Sequence, residues 1–281
     1  MFEVPPAADP HGVGGGGGAD HGRALPLLRS SVIPARFQHG FTTRRGGVSA
    51  APFDTLNLGM KWGDARPNVI ENRRRLLAAS GAQRMMVVSQ VHGPDLVRVR
   101  AADSAADVAR ISADGLISDV PGTAVAVFVA DCIPALLADA RTGAFAAVHA
   151  GWRGTVAGVL PATVRRMRSE LGTLPDDLRV ALGPAIGVCC FEVGEEVVEA
   201  VERALPGAAR AGVVRAGIAG RRAHVDLKRL NVLLLEAEGV PAAGIDAGPE
   251  CTSCDRERFF SYRRDRGQTG QAMGFIGVKA P

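Results

Sequence analysis

The chain has 281 residues, 47% of them hydrophobic and 22% charged, with a formal net charge of +4. That apolar content excludes wholesale disorder, and the length suffices to bury a core without disulfides or a metal. The longest apolar run, residues 124–130, ends at Asp131, far short of the roughly 20 residues of a membrane span. Only Lys61, Lys228 and Lys279 are lysines, so the basic residues are nearly all Arg. No basic block is interleaved with aromatics, so neither nucleic acid nor a membrane is an expected partner. Five cysteines, an odd number, and no signal-peptide pattern point to a reducing, cytoplasmic setting.

In chain order, residues 1–29 contain the Gly14–Gly18 run and read as a flexible tail. His11 and His21 lie in it and are given no role. Residues 30–281 read as one domain. Residues 39–48 look like a strand running into a Gly-rich loop, and residues 68–80 like a helix. Strands are expected at 85–91, 122–130 and 144–148, the second a continuous apolar run suited to a buried strand. Residues 154–171 carry apolar side chains at helical spacing, with Pro161 as a kink or late start. A strand at 178–182, closed by Gly183-Pro184, is followed by amphipathic helices at 195–205 and 227–237. Asp226 is a plausible cap for the second, which leaves His224 structural. Closing strands are expected at 259–263 and 273–278. Strands and helices mix without strict alternation, which favours an α/β or α+β domain with mixed sheets.

Three of the expected strands end alike: 86–91 at His92-Gly93, 125–130 at Asp131-Cys132, and 144–148 at His149. Strand ends followed by turns can converge several side chains on one point. Two imidazoles and a thiolate suit zinc, and three protein ligands leave the open position of a catalytic site. A water bound there has its pKa lowered toward about 7. A rival reading makes Cys132 a nucleophile activated by His92 or His149. A third leaves Cys132 a buried core thiol and both histidines structural.

The loop Thr42-Thr43-Arg44-Arg45-Gly46-Gly47-Val48 gathers hydroxyls, guanidinium groups and backbone amides, as an anion site does or as an ordinary turn does. Arg153, at the start of the long helix, and the Arg263-Arg264 pair are further cations. Cys251-Thr252-Ser253-Cys254 has CxxC spacing. It lacks a second CxxC, the adjacent Cys189-Cys190 does not supply the usual second pair, and it precedes an expected strand. Neither a zinc ribbon nor a redox motif is expected.

The segments Gln90-Val91-His92-Gly93, Ala130-Asp131-Cys132-Ile133-Pro134 and His149-Ala150-Gly151-Trp152-Arg153-Gly154-Thr155 resemble the three signatures of the YfiH-like family. Its members are variously labelled laccase-domain polyphenol oxidase, peptidoglycan-editing factor and multifunctional purine nucleoside phosphorylase. The similarity continues in Gly40-Phe41-Thr42-Thr43-Arg44, Leu56-Asn57-Leu58-Gly59, Glu71-Asn72-Arg73-Arg74, Gly183-Pro184-Ala185-Ile186-Gly187 and Phe259-Phe260-Ser261-Tyr262-Arg263-Arg264. It covers roughly residues 32–278.

The resemblance implies a single-domain layered α/β/β/α fold and a catalytic Zn2+ held by His92, Cys132 and His149. It implies phosphorolysis of adenosine, guanosine, inosine and methylthioadenosine, and deamination of adenosine to inosine; the chain is separately expected to be a monomer. On that basis Arg44 is the first choice for binding phosphate, with Asn57 and Arg153 as second contacts. Asp131 is cast as a proton carrier or as the partner of a ligand histidine, and Gln90 as a substrate contact. The alternative activity is an amidase that removes L-Ser from a UDP-linked cell-wall precursor. A copper polyphenol oxidase ranks lower, because one three-ligand set does not spread electrons over several metals. A non-enzymatic zinc-stabilised interaction protein would need a fourth ligand. One departure is Gln271, in Thr269-Gly270-Gln271, where relatives commonly carry Arg. Cys189 and Cys254 are extra thiols without an assigned role.

Overall fold

The computed structural model describes residues 25–217 and 222–280. Most of the expected Gly-rich tail therefore lies outside the described residues. Its last part does not read as a tail: Leu27 and Leu28 form a strand paired with Thr42 and Phe41.

The first part of the chain runs β1 (Leu27–Leu28), β2 (Phe37–Thr42), α1 (Arg66–Ser80), β3 (Arg84–Met86), β4 (Leu96–Arg98), α2 (Ala105–Val108) and β5 (Gly115–Ser118). It continues through β6 (Thr123–Val129), β7 (Ile133–Asp139), β8 (Phe145–Ala150), α3 (Trp152–Val156), α4 (Val159–Leu171) and β9 (Leu178–Leu182). The last part holds β10 (Glu192–Val193), α5 (Glu195–Ala204), β11 (Val214–Arg215), β12 (Ala223–Val225), α6 (Leu227–Ala237), β13 (Ile245–Ala247) and β14 (Ala272–Val278).

Two mixed sheets dominate, in the orders β1-β2-β14-β6-β3 and β13-β9-β7-β8-β5-β4, beside a small sheet β10-β12-β11. Three apolar layers show how they stack. Phe37, Phe41, Val125, Val127 and Ile276 of the first large sheet pack on Leu116, Leu136, Phe145 and Ala147 of the second. The outer face of the second sheet is covered by Leu160, Val164 and Met167 of α4, Val197 and Val201 of α5, and Leu230 and Leu235 of α6. The outer face of the first is covered by Leu76 and Leu77 of α1 with Leu56 and Leu58. The result is the expected α/β/β/α layering with mixed sheets. The strands between the layers are apolar on both faces, so β6, β7 and β8 read as nearly unbroken hydrophobic runs.

Four local expectations change. The helix expected at 154–171 is two helices, α3 and α4, broken at Gly158 with φ 82°. Pro161 then lies in the first turn of α4, where a missing N–H breaks no helical bond. The strand expected at 85–91 stops at Met86. The strand expected at 259–263 is a loop and turn: its backbone groups bond locally to Asp255, Asp265 and Gly267, and the Arg263 N–H to the Asp131 carboxylate, not to a neighbouring strand. Strand β7, central in its sheet and paired with both β8 and β9, was not among the expected elements. No helix among the described residues is long and apolar enough to cross a membrane.

Candidate active site

The tight turn from β6 into β7 carries Asp131 and Cys132. Asp131 has φ 89°, a conformation a non-glycine residue rarely adopts. Its carboxylate holds the turn in place: Oδ1 accepts the Thr252 hydroxyl at 2.6 Å and Oδ2 accepts the Arg263 N–H at 2.7 Å. His149 is the penultimate residue of β8, inside the strand and opposite Pro134 of β7. His92 sits six residues beyond β3, in a turn with φ 64°.

Despite these separate origins, the donor atoms of His92, Cys132 and His149 all lie within 4.8 Å of one another. The two imidazole rings meet edge to face with centroids 4.7 Å apart. Gly151 completes the fit. A Cβ there would lie 3.0 Å from Cys132 Sγ and 3.1 Å from His92 Cδ2, so the glycine leaves the three donors room to converge.

Asp114 binds the arrangement together. It is fully buried just before β5. Its Oδ1 lies 2.7 Å from His149 Nδ1, and its two oxygens accept the backbone N–H groups of Val91, His92 and Gly93 at 3.1, 2.9 and 2.7 Å. Burial favours its neutral form, but the His149 ring and these N–H groups outweigh that and hold its pKa below the usual carboxylate value. Burial pushes the Cys132 thiol up, yet the charge and hydrogen bonds of His149 and His92 bring it down to about 6. Burial lowers His149, while Cys132 and Asp114 raise it to about 9. Cys132 and His149 thus form a thiolate–imidazolium pair. A carboxylate on one ring nitrogen, with the other nitrogen left to face the donor cluster, is how metal-ligating histidines are oriented. The Cys132 thiolate, the His149 ring once a metal displaces its outward proton, and the His92 ring can together hold a metal ion.

These donors lie in the lining of an open cavity of about 630 Å³. Its walls include Trp62, Phe128, Trp152 and Tyr262, and its cations are Lys61, Arg73 and Arg263. Trp62 and Tyr262 stand with ring centroids 5.6 Å apart at 43°. The Arg73 guanidinium lies 5.1 Å from the Phe128 ring centroid, and Nε donates to the Leu58 carbonyl at 2.8 Å. Burial lowers its pKa to about 10, which leaves it charged at neutral pH.

The other expected site residues are distributed differently. Arg44 does not reach the cavity. Its Nε donates to the Asp54 carbonyl, its Nη2 pairs with the Asp54 carboxylate at 2.9 Å, and its guanidinium covers Phe260. Asn57 is buried and its amide is already spent: Oδ1 accepts the N–H groups of Gly59 and Gln271, and Nδ2 donates to the Gly59 carbonyl and the Asp64 carboxylate. Arg153 is exposed and lies over the Trp152 ring, outside the cavity lining. Gln90 lines the cavity, but both ends of its amide bond the Phe128 backbone, at 2.8 and 2.7 Å. Asp131 lines it too, yet its carboxylate is committed to Thr252 and Arg263, and the partner of the ligand histidine is Asp114. Gln271 lines the cavity against Gly59. Sequence reasoning missed Asp114, Trp62, Tyr262 and Arg73 as site residues. Asp114 announces itself only as a lone acid before a short apolar strand.

Residues 38–279 match the family model described as multi-copper polyphenol oxidoreductase laccase. The purine nucleoside phosphorylase YlmD of Geobacillus stearothermophilus is 40% identical over 245 residues, 85% of this chain and 89% of the relative. A purine nucleoside phosphorylase of Pseudomonas aeruginosa is 45% identical over 247 residues, 88% of this chain and 95% of the relative. The crystal structure of Geobacillus stearothermophilus YlmD superposes with a TM-score of 0.84 at 36% identity, covering 92% of this chain and 98% of that one. That of the Bacillus licheniformis hypothetical protein YfiH gives 0.82 at 35% identity, covering 86% and 93%. With its sequence and its fold shared with these proteins, the chain belongs to the laccase-like family of YfiH and YlmD.

Proposed function

We propose that the protein is a zinc-dependent purine nucleoside phosphorylase that also deaminates adenosine. The observation that carries this reading is the cavity itself: a His92–Cys132–His149 donor set, aromatic walls and fixed cations share one open space. The names of its relatives support the phosphorylase.

Zinc held by the three donors would supply a Lewis acid and activate water at neutral pH. The chain's own residues do the rest. Asp114 keeps the His149 ring in one orientation and holds the His92 turn. Trp62 and Tyr262 offer faces on which a purine stacks, a contact worth about 1–3 kcal/mol per base. Arg73 and Arg263 supply the positive charge that a phosphate nucleophile needs near the ribose, a reading supported by their place in the cavity lining, which Arg44 does not join. The apolar walls exclude water around the reacting bond.

A second reading is favoured by one specific relationship. Cys132, His149 and Asp114 stand in the order of a nucleophile, its base and the orienting acid. That arrangement suits the amidase acting on a seryl cell-wall precursor.

Adenosine incubated with the zinc-loaded protein, with and without phosphate, tests the proposal. Adenine appearing only with phosphate supports the phosphorylase, and inosine without phosphate the deaminase. If neither appears, and the chelated protein releases serine from the seryl precursor, the thiol reading replaces it.

A further inference from the structure

A second group of potential ligands lies outside the cavity lining. Cys189, Cys190, Cys251 and Cys254 are all free thiols, and their four Sγ atoms lie within 4.8 Å of one another. Cys254 Sγ is 3.5 Å from Cys189 Sγ and 3.4 Å from Cys190 Sγ. One sulfur equidistant from two others does not describe two disulfide pairs. It fits four sulfurs gathered in one cluster. A tetrahedral ion with zinc–sulfur bonds of about 2.3 Å separates its sulfurs by about 3.8 Å, within the observed spread.

The backbone supports the same reading. Cys190 and Phe191 donate their N–H groups back to the Gly187 carbonyl, so the vicinal cysteines sit on a tight turn. The Cys251–Cys254 turn lies alongside, joined by a parallel bridge from Ala185 to Cys251 and by the Thr252 N–H on the Ala185 carbonyl. The Gly187 N–H donates to Cys251 Sγ at 3.2 Å, a bond that favours a thiolate. A Cβ on Gly187 would stand 3.2 Å from Cys189 Sγ and 3.4 Å from Cys251 Sγ, so the glycine leaves room for the cluster. Two cations flank it. Lys228 Nζ donates to the Glu250 carbonyl at 3.1 Å and Arg263 Nη1 to the Cys190 carbonyl at 3.3 Å. They offset the net negative charge that four thiolates leave around a divalent ion.

We propose that Cys189, Cys190, Cys251 and Cys254 form a second, structural zinc site that clasps the 187–191 turn to the 251–254 turn. Four thiolates select a soft or borderline ion and leave no open position for chemistry. Cys189 and Cys254 are exposed, which gives the ion an entry path. The clasp bears on the cavity, because Ile186 and Phe191 line it and Thr252 holds the Asp131 carboxylate beside Cys132. Spacing alone did not disclose this, since the second pair is Cys-Cys and not CxxC.

Zinc per chain, measured by plasma mass spectrometry on protein purified under reducing conditions, tests the proposal. The wild type is expected to hold two ions, and the Cys251→Ser/Cys254→Ser double variant one fewer. The His92→Ala/His149→Ala double variant should keep the thiolate-bound ion, so failure of the first site and failure of this one are distinguishable. An unchanged zinc content in the double cysteine variant overturns the proposal. If that variant does not fold, the His92→Ala/His149→Ala protein loaded with cobalt decides. Charge-transfer absorption of four-sulfur intensity supports the site, and its absence overturns it. An intact mass two hydrogens lower per sulfur pair, with no metal bound, also overturns it.

Discussion

The carboxylate of Asp114 lies 2.7 Å from His149 Nδ1 while it also accepts the backbone N–H of His92. One buried side chain thus orients a histidine on a strand and the turn that presents the other. Asp114→Asn keeps the volume and removes the charge, and is expected to weaken metal binding roughly 10- to 100-fold. Competition against a chelator measures it. An unchanged affinity would mean that the histidines orient themselves.

Cys132→Ala removes the sulfur donor and leaves two nitrogens, too few for a tight site. The expected outcome is a folded protein that has lost this ion and its turnover. Metal content, circular dichroism and adenosine turnover are measured together. Full activity in this variant would remove Cys132 from the chemistry.

The metal-free protein should show the thiolate directly. Burial opposes ionisation of Cys132, but His149 and His92 bring its pKa from 9.0 to about 6. Alkylation by iodoacetamide, followed peptide by peptide, is expected to rise with a midpoint near pH 6 at Cys132. A midpoint near 9 would refute the ion pair. The stability consequence has two opposing parts. The raised His149 pKa contributes stability that is lost as pH rises from 6.5 through about 9. The depressed Cys132 pKa contributes stability that is lost as pH falls from 9.0 through about 6. Between about 6.5 and 9 the pair carries one proton whether folded or unfolded, so it leaves the Tm of the metal-free protein level across that window.

Two arginines separate structure from phosphate binding. Arg73→Gln is expected to raise the KM for phosphate about tenfold or more, since a charge-assisted bond is worth about 1.5–3 kcal/mol. Arg44→Gln should leave that KM unchanged and lower the Tm, because Arg44 ties its loop to Asp54 and Arg256. The reverse pattern would restore Arg44 to the phosphate site.

Trp62→Ala tests the stacking surface. The KM for nucleoside should rise between about 5- and 150-fold, the equivalent of 1–3 kcal/mol, with kcat much less affected. Steady-state kinetics with adenosine and inosine measures both. A loss confined to kcat would assign Trp62 to the reacting groups instead.

The sequence by itself determined most of the apolar strands, most helix positions and three candidate ligands that the fold brings together. Each is a local matter. The run 123–129 is buried on both faces, so its pattern is continuous, and α6 begins at Leu227 because Asp226 caps it. His92, Cys132 and His149 stood out through their motifs, which survive as short contiguous strings. Other features are pairwise and long-range, and only the tertiary structure decided them. Asp114 meets His149 because β5 lies beside β8, across 35 residues of chain. Arg44 and Asn57 have the right chemistry for an anion, yet their hydrogen bonds are consumed by Asp54 and by the Gly59 and Gln271 backbone. The four thiols meet because the bridge from Ala185 to Cys251 brings two turns together. A side chain's chemistry is written in its own residue, but whether its polar atoms are already spent depends on what the fold places against them.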